Sequence, residues 1–190
     1  MRNLVATVIV FMMAAIAHAQ SWPQHAVTMV VPFGAGGSAD LMGRILASHL
    51  QTRLGVPFLV DNKGGAGGSV GTGFVAKAPN DGYTLLIGTV SSNAINAALY
   101  TKLAYDLDRD FQPVSLLVRF PNLLIVSPKV PVKSVTGLID YLKANPGKMN
   151  YGSSGIGTSS HLSVVMFAHA TGIFGLTINR LGNRTSSDTG

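Results

Sequence analysis

The 190-residue sequence contains no cysteine and no glutamate. The absence of cysteine excludes a disulfide scaffold, a thiolate zinc site and a cysteine nucleophile. The histidines beyond the N-terminal region lack the spacing of a metal site, and no glutamate is available to complete one; they are His25, His49, His161 and His169. We therefore expect neither a metal nor a cofactor.

The sequence also lacks an apolar run long enough to cross a membrane. Residues 4–16 form an apolar run, but a spanning helix needs roughly 20 residues. Arg2 precedes this run, and Ala17-His18-Ala19 follows it with the small-x-small pattern that signal peptidase cleaves. A permanent membrane anchor is the less favoured alternative, because the run is too short. We predict that residues 1–19 are a signal peptide and that the remaining chain is exported and soluble.

Positive charge exceeds negative charge, with a formal net charge of +6 and a pI near 9.8. This excess suggests nucleic-acid binding, but the cations are spread along the chain without a basic run or interleaved aromatic residues. We therefore expect no nucleic-acid partner. The diffuse charge favours small anionic ligands only weakly.

Apolar, β-branched runs alternate with amphipathic segments, which indicates an α/β fold with a largely parallel sheet. The predicted strands are residues 26–32, 57–62, 83–88, 114–118 and 123–127, with one more inside 148–154. The first predicted helix is capped by Ser38 and runs to residue 54. The others are a short one beginning at 69, one capped by Ser91 or Ser92, one from the cap Ser134 to 144, and one at 158–170.

Three of these strands are followed by loops rich in Gly, Ser and Thr: FGAGGSAD, GTVSSNAIN and GSSGIGTSSHL. Backbone N–H groups at such turns and helix starts bind anions, carboxylates included. Loops at the carboxyl ends of parallel strands converge on one crevice, so the three predict a site for a small polar anion. Each loop alone is also explained as a tight turn and helix cap. Asp40 either orders the first loop or opposes an anion, and His161 is equally explained as a structural hydrogen-bonding residue.

The word GAGGS occurs twice, at 34–38 and 65–69, which we interpret as two similar loops. The first copy, extended to GAGGSA, also fits the dinucleotide fingerprint G-x-G-x-x-A, with Asp61 at the end of the second strand. An NAD(P)-dependent oxidoreductase is therefore an alternative. Pro32 and Phe33 between strand and glycines, and the export signal, oppose it. The sequence contains no P-loop and no complete nucleophile elbow.

After the signal peptide come WPQHAVTMVVPFGAGGSADLMGRILASHL, VDNKGGAGGSVGTGFVAKAPNDGYTLLIGT, YDLDRDFQPVSLLVRFPNLLIVSP and YGSSGIGTSSHL, together covering roughly residues 22–172. In this order they closely resemble the Bug family, the extracytoplasmic solute-binding receptors of tripartite tricarboxylate transporters. The resemblance implies a periplasmic binding protein-like II fold with two α/β lobes and mostly parallel sheets. It further implies a monomeric periplasmic receptor that captures a small carboxylate for membrane permease subunits, without catalysis.

The resemblance also implies which residues bind the ligand. Backbone amides and hydroxyls of Ser38, Thr89, Ser91, Thr158 and Ser159 would hold the carboxylate, in part through ordered water. The full implied set is Phe33, Gly34, Ala35, Gly36, Gly37, Ser38, Asp40, Thr89, Ser91, Ser92, Asn93, Gly155, Gly157, Thr158, Ser159 and His161.

The resemblance divides the mature chain into a first lobe at 20–122 and part of a second lobe at 123–172. After Gly172 the family pattern would continue with a His-Val-Pro-Tyr-Lys-Gly-like segment, but this chain has IFGLTINRLGNRTSSDTG. We expect residues 173–190 to be an atypical tail, disordered or frameshifted, and the second lobe to be incomplete with exposed sheet edges. A nonfunctional remnant is therefore a third hypothesis.

Overall fold

The computed structural model describes residues 22–180. The predicted signal peptide and residues 181–190 lie outside the described residues. Two α/β units follow one another along the chain, one with three parallel strands and one with two. The predicted α/β architecture with parallel sheets is confirmed.

The first sheet has the order β2-β1-β3, with β1 (Val27–Val31) between β2 (Phe58–Asn62) and β3 (Thr84–Leu86). Four of the five side chains of β1 are fully buried. A continuous apolar run is what a central parallel strand requires when both faces of its sheet are covered. The first core consists of Val27, Met29, Val31, Ala47, Phe58 and Ile87.

Helix α1 (Ser38–Leu54) packs closely on this sheet through small residues. A methyl group on Gly43 would lie 3.1 Å from Val31 Cγ2. The helix ends at Gly55, which has a left-handed φ of 74° and donates its N–H to the Gln51 carbonyl at 3.0 Å. The prediction that Ser38 caps this helix was wrong. Ser38 is the first helical residue, and the extended Gly37 occupies the cap position without a side-chain cap bond.

Short helical elements complete the first unit. A 3-10 turn, Ala66–Gly68, leads into α2 (Ser69–Val75). After β3, a π-helical turn (Ser91–Ile95) continues as α3 (Asn96–Leu99), and α4 is Leu107–Asp110. The prediction that Ser91 or Ser92 caps this helix was wrong. Both serines lie inside the π-helical turn, and the cap position belongs to Val90.

The two strands predicted at 114–118 and 123–127 are not formed. Residues 111–127 run without a helix, turn, bend or ladder within the described chain. Their apolar side chains are largely exposed, with Val114 at 87% and Ile125 at 86%. The local pattern was correctly apolar, but a strand also requires a neighbouring strand for its backbone hydrogen bonds.

The second unit contains α5 (Val135–Ala144), β4 (Asn150–Ser153), α6 (Ser159–Thr171) and β5 (Thr177–Arg180). The predicted cap of α5 is confirmed, because Ser134 Oγ accepts from the Gly137 N–H at 3.0 Å. The second core consists of Leu138, Leu142 and Ile173, with Val132, Ile139, Met149, Phe167, Ala168 and Leu176 packed around it.

The expectation that the tail 173–190 is disordered is wrong for residues 173–180. Ile173 is only 4% exposed in the second core, and Leu176 packs beside it. Thr177–Arg180 pairs in parallel with β4. Burial of these apolar side chains and the ladder bonds order this part of the tail.

Candidate functional site

Asp40 shapes the first glycine loop, residues 33–38. The residue is 4% exposed, in the first turn of α1. Its Oδ2 accepts from the Gly36 N–H at 2.8 Å and from Arg44 Nε at 3.0 Å. Its Oδ1 accepts from Asn62 Nδ2 at 3.0 Å. Both carboxylate oxygens are therefore engaged by the loop and its supports.

The same contacts determine the charge of Asp40. The hydrogen bond from Arg44, followed by that from the Gly36 N–H, lowers the pKa of Asp40 from 3.8 to about 2. Asn62 adds a further tie, because its Nδ2 also donates to the Phe33 carbonyl at 3.1 Å. Of the two roles that the sequence left open, these contacts support ordering of the loop.

The outer side of the first glycine loop is open to solvent. Residues 35–38 are exposed, whereas Phe33 and Gly34 are half-buried. A methyl group on Gly36 would meet no atom within 4 Å, and one on Gly37 would meet only the Gly34 carbonyl oxygen, at 3.7 Å. The first N–H groups of α1 have no acceptor within the helix and lie at the positive end of its dipole. An anion can therefore approach the outer side of the first glycine loop.

The second predicted loop, residues 89–93, is tied together mainly by its own side chains. The fully buried Ser92 accepts from the Thr89 N–H through Oγ at 3.0 Å and donates to Asn93 Oδ1 at 2.8 Å. Tyr105 donates its hydroxyl to the Ser92 carbonyl at 2.7 Å. In this structure Ser92 and Asn93 therefore hold the loop in shape.

The third predicted loop, residues 155–161, is also ordered from within. Thr158, 1% exposed, donates from Oγ1 to the Gly155 carbonyl at 2.7 Å and caps α6 by accepting from the His161 N–H. His161 Nδ1 accepts from the Gly157 N–H at 3.3 Å, and its ring stacks on Tyr151. The structural interpretation of His161 is therefore supported in this conformation.

One hydrogen bond joins the second and third loops. The Ser159 N–H, at the start of α6, donates to Ser91 Oγ at 3.0 Å. Ser91 is 5% exposed, so this bond is shielded from solvent. Residues 68 positions apart, from the two α/β units, thereby meet at the start of α6.

The second glycine loop, residues 64–69, contacts all three predicted loops. A methyl on Gly64 would lie 3.2 Å from the Gly34 nitrogen. One on Gly68 would lie 3.0 Å from Ser92 Cβ and 3.2 Å from Phe33 Cζ. One on Gly67 would lie 3.2 Å from the Ile156 carbonyl oxygen. This role was not predicted from the sequence, although the repeated GAGGS was a signal of it.

Asn96 anchors the second glycine loop. It is fully buried, and its Nδ2 donates to the Gly67 carbonyl and to Ser69 Oγ, both at 3.0 Å. Its Oδ1 has no partner among the described residues. Asn62, Arg44 and Asn96 are thus three supporting residues absent from the predicted set, and only the Asp40–Arg44 spacing of four was visible in the sequence.

Two open cavities lie away from the three predicted loops. One of about 490 Å³ borders α2 and includes Phe74, Lys77 and Lys102. The other, of about 470 Å³, lies between α1 and β2 and includes Arg44 and Phe58. Neither cavity is lined by a residue of the predicted set.

Residues 42–188 match the family described as the tripartite tricarboxylate transporter family receptor, or TctC. The chain belongs to this family. The match continues past Gly172 to residue 188, so the family resemblance extends further than the motifs indicated. The TctC family is one of receptors and not of enzymes, and the match gives the oxidoreductase hypothesis no support.

Curated relatives of this TctC chain include the protein BugT of Bordetella pertussis. It is 37% identical over 177 residues, which are 90% of this chain and 54% of BugT. A UPF0065 protein of the same organism is 38% identical over 169 residues, or 89% of this chain and 52% of that protein. The chain thus spans about half the length of the curated relatives it matches.

Solved structures are also similar to this chain over about half of their own length. An R. palustris protein with adipate is 40% identical, with a TM-score of 0.81 over 85% of this chain and 54% of that one. MatC from Rhodopseudomonas palustris with bound malate is 32% identical, with a TM-score of 0.78 over 85% of this chain and 55% of MatC. The periplasmic binding protein BugD is 34% identical, with a TM-score of 0.71 over 85% of this chain and 54% of BugD.

Two further observations concern residues 22–180. None of the helices there is long and apolar enough to cross a membrane. Within the same range, no cluster of three or more His or Asp side chains is arranged to hold a metal ion.

Proposed function

We propose that this chain is part of a periplasmic receptor. It holds a small carboxylate where the first glycine loop and the loops 89–93 and 155–161 converge. The ligand lies between the starts of α1 and α6, and backbone N–H groups and hydroxyls bind its carboxylate. No covalent chemistry is involved.

The hydrogen bond between Ser159 N–H and Ser91 Oγ is the observation that carries the proposal, because it connects loops of the two units beside a helix start. The outer side of the first glycine loop is open, with space around Gly36 and Gly37. This space leaves room for an anion. The positive ends of two helix dipoles then favour a carboxylate.

The roles within the predicted set divide into two groups. Residues 34–38, together with Thr89 and Ser159, present the backbone and hydroxyl groups that contact the ligand. The others hold those groups in place: Phe33, Asp40, Ser91, Ser92, Asn93, Gly155, Gly157, Thr158 and His161. The adipate and malate named for two similar structures support a carboxylate as the ligand class.

Export and delivery complete the proposal. The predicted signal peptide, 1–19, directs the chain to the periplasm, where it passes its ligand to membrane permease subunits. Mass spectrometry of the exported protein tests the first part, since cleavage after Ala19 leaves Gln20 as the first residue.

Titration calorimetry on the exported chain tests the ligand class. Adipate and malate should each bind with measurable heat, whereas dimethyl adipate, which has the same carbon chain without charge, should not. A sample with a cooperative unfolding transition that binds neither diacid contradicts the proposal. Binding of the ester as tightly as the diacid contradicts it equally.

A further inference from the structure

Residues 156–159 of the second α/β unit lie directly against the first unit. A methyl group on Gly67 would be 3.2 Å from the Ile156 carbonyl oxygen, and the Ser159 N–H donates to Ser91 Oγ at 3.0 Å. We call this approach the interunit contact: Gly67 and Ser91 of the first unit with residues 156–159 of the second.

Asn96 holds both residues that the first unit contributes to the interunit contact. It is fully buried at the start of α3. Its Nδ2 donates to the Gly67 carbonyl and to Ser69 Oγ, both at 3.0 Å. Its backbone N–H donates to the Ser91 carbonyl, the bond to the fifth preceding residue that defines a π-helical turn. One residue therefore fixes the positions of Gly67 and Ser91 relative to each other.

Gly67 has little else to keep it in place. Its φ of 62° is left-handed, and its neighbours Gly65 and Gly68 also have positive φ values. Glycine loses more conformational freedom on folding than any other residue, so a loop of this composition needs an external anchor. Without the Asn96 amide, the point against which Ile156 rests would not be fixed.

The second glycine loop transmits this position to the first. A methyl group on Gly64 would lie 3.2 Å from the Gly34 nitrogen, and one on Gly68 would lie 3.2 Å from Phe33 Cζ. The first glycine loop therefore moves with the second, whereas Ser159 moves with the start of α6. The interunit contact thus determines the distance between the starts of α1 and α6.

We propose that Asn96 is a positioning residue of the carboxylate site. By holding Gly67 and Ser91, it sets the distance between the two helix starts without touching the ligand. The location of the ligand rests on the proposed function, but the distance between the two units is measurable without any ligand.

Double electron–electron resonance between two nitroxide labels measures that distance. The chain has no cysteine, so labels attach only at introduced ones, Ser48→Cys on α1 and Thr136→Cys on α5, both at exposed positions. Asn96→Ala should shift or broaden the distance distribution. The matched control is Asn145→Ala, because Asn145 Nδ2 also donates to a backbone carbonyl at 3.0 Å, within the second unit. It should leave the distribution unchanged. Superimposable distributions for wild type and Asn96→Ala overturn the inference.

Gly67→Ala disturbs the same contact without removing the buried amide. The added methyl group would lie 3.1 Å from Asn96 Oδ1 and 3.2 Å from the Ile156 carbonyl oxygen. Gly172→Ala is the control, since its φ of 67° gives similar left-handed strain but its methyl group would meet no atom within 4 Å. Only Gly67→Ala should change the distribution. If the two variants give the same distribution as wild type, the inference is overturned even where Asn96→Ala fails to fold.

Titration with adipate or malate separates this inference from the proposed function. Asn96→Ala should lower diacid affinity about tenfold, as expected for lost buried hydrogen bonds, and Asn145→Ala should change it less than about twofold. A folded wild-type chain that binds neither diacid contradicts the proposed function, while the label distances still decide whether Asn96 sets the separation of the units. A changed distance with unchanged affinity overturns the role of Asn96 at the ligand site.

Discussion

Replacing Gly71 by alanine should destabilise this chain, although alanine is the better helix former. Gly71 lies in α2, behind the first glycine loop. A methyl group there would be 2.6 Å from the Lys63 carbonyl oxygen and 2.8 Å from Pro32 Cα. Both are backbone atoms, so relief requires movement of the chain that leads into the ligand loop.

Gly73 provides a matched control in the same helix. A methyl group on Gly73 would lie 3.4 Å from Ala104 Cβ, which is an ordinary contact. Alanine in a helix interior gains about 1 kcal/mol over glycine at either position. Overpacking against backbone costs about 2–3 kcal/mol. Gly71→Ala should therefore lose about 1–2 kcal/mol of unfolding free energy, and Gly73→Ala should gain up to about 1 kcal/mol.

Urea unfolding followed by far-ultraviolet circular dichroism measures both values. Gly71→Ala should also weaken diacid binding, because Pro32 positions the first loop, while Gly73→Ala should leave binding unchanged. If the two variants have unfolding free energies within about 0.5 kcal/mol of each other, the close packing of α2 behind the loop is refuted.

Two other contacts give predictions. Asp40→Asn removes the charge that Arg44 and the Gly36 N–H stabilise, so the thermal midpoint should fall and diacid affinity should drop about tenfold. Since the Asp40 pKa is lowered from 3.8 to about 2, its contribution to stability is complete above pH 4 and is lost as the pH falls toward 2; the midpoints of wild type and Asp40→Asn, measured by calorimetry, should converge over that range, and a constant difference would exclude the ion pair. Ser91→Ala removes the acceptor that holds the Ser159 N–H, so roughly 1 kcal/mol of unfolding free energy should be lost, and diacid affinity should fall because Ser159 is no longer held in place; an unchanged affinity would remove that contact from the site.

Local sequence was sufficient to predict an element whose composition or cap bond lies within a few consecutive residues. The run leading to Val31 predicts a central strand, because only a strand covered on both faces is apolar throughout. Ser134 predicts the start of α5, because its cap bond to Gly137 spans three residues. The cap depends only on neighbours in the chain. The strand is recognisable from its own composition, although its partners β2 and β3 lie far along the sequence.

Features that depend on distant partners were not predictable in the same way. The stretch around Ile125 has a strand pattern but no neighbouring strand in the described chain. The two GAGGS copies show the same limit. The first is open to solvent around Gly36, whereas Gly67 and Gly68 of the second pack against three other segments. Five small residues specify a turn, but the surrounding fold decides whether that turn faces solvent.

The proposed function requires a carboxylate to bind against the first glycine loop at the start of α1. Gly37→Asp places a negative charge on the first glycine loop while keeping a good helix cap, since aspartate is favoured at that position. Ser48→Asp adds the same charge to the exposed middle of α1 as the control. Calorimetric titration with adipate or malate should show at least tenfold weaker binding for Gly37→Asp and less than a twofold change for Ser48→Asp. Equal affinities in the two variants would contradict binding of the carboxylate at the first glycine loop.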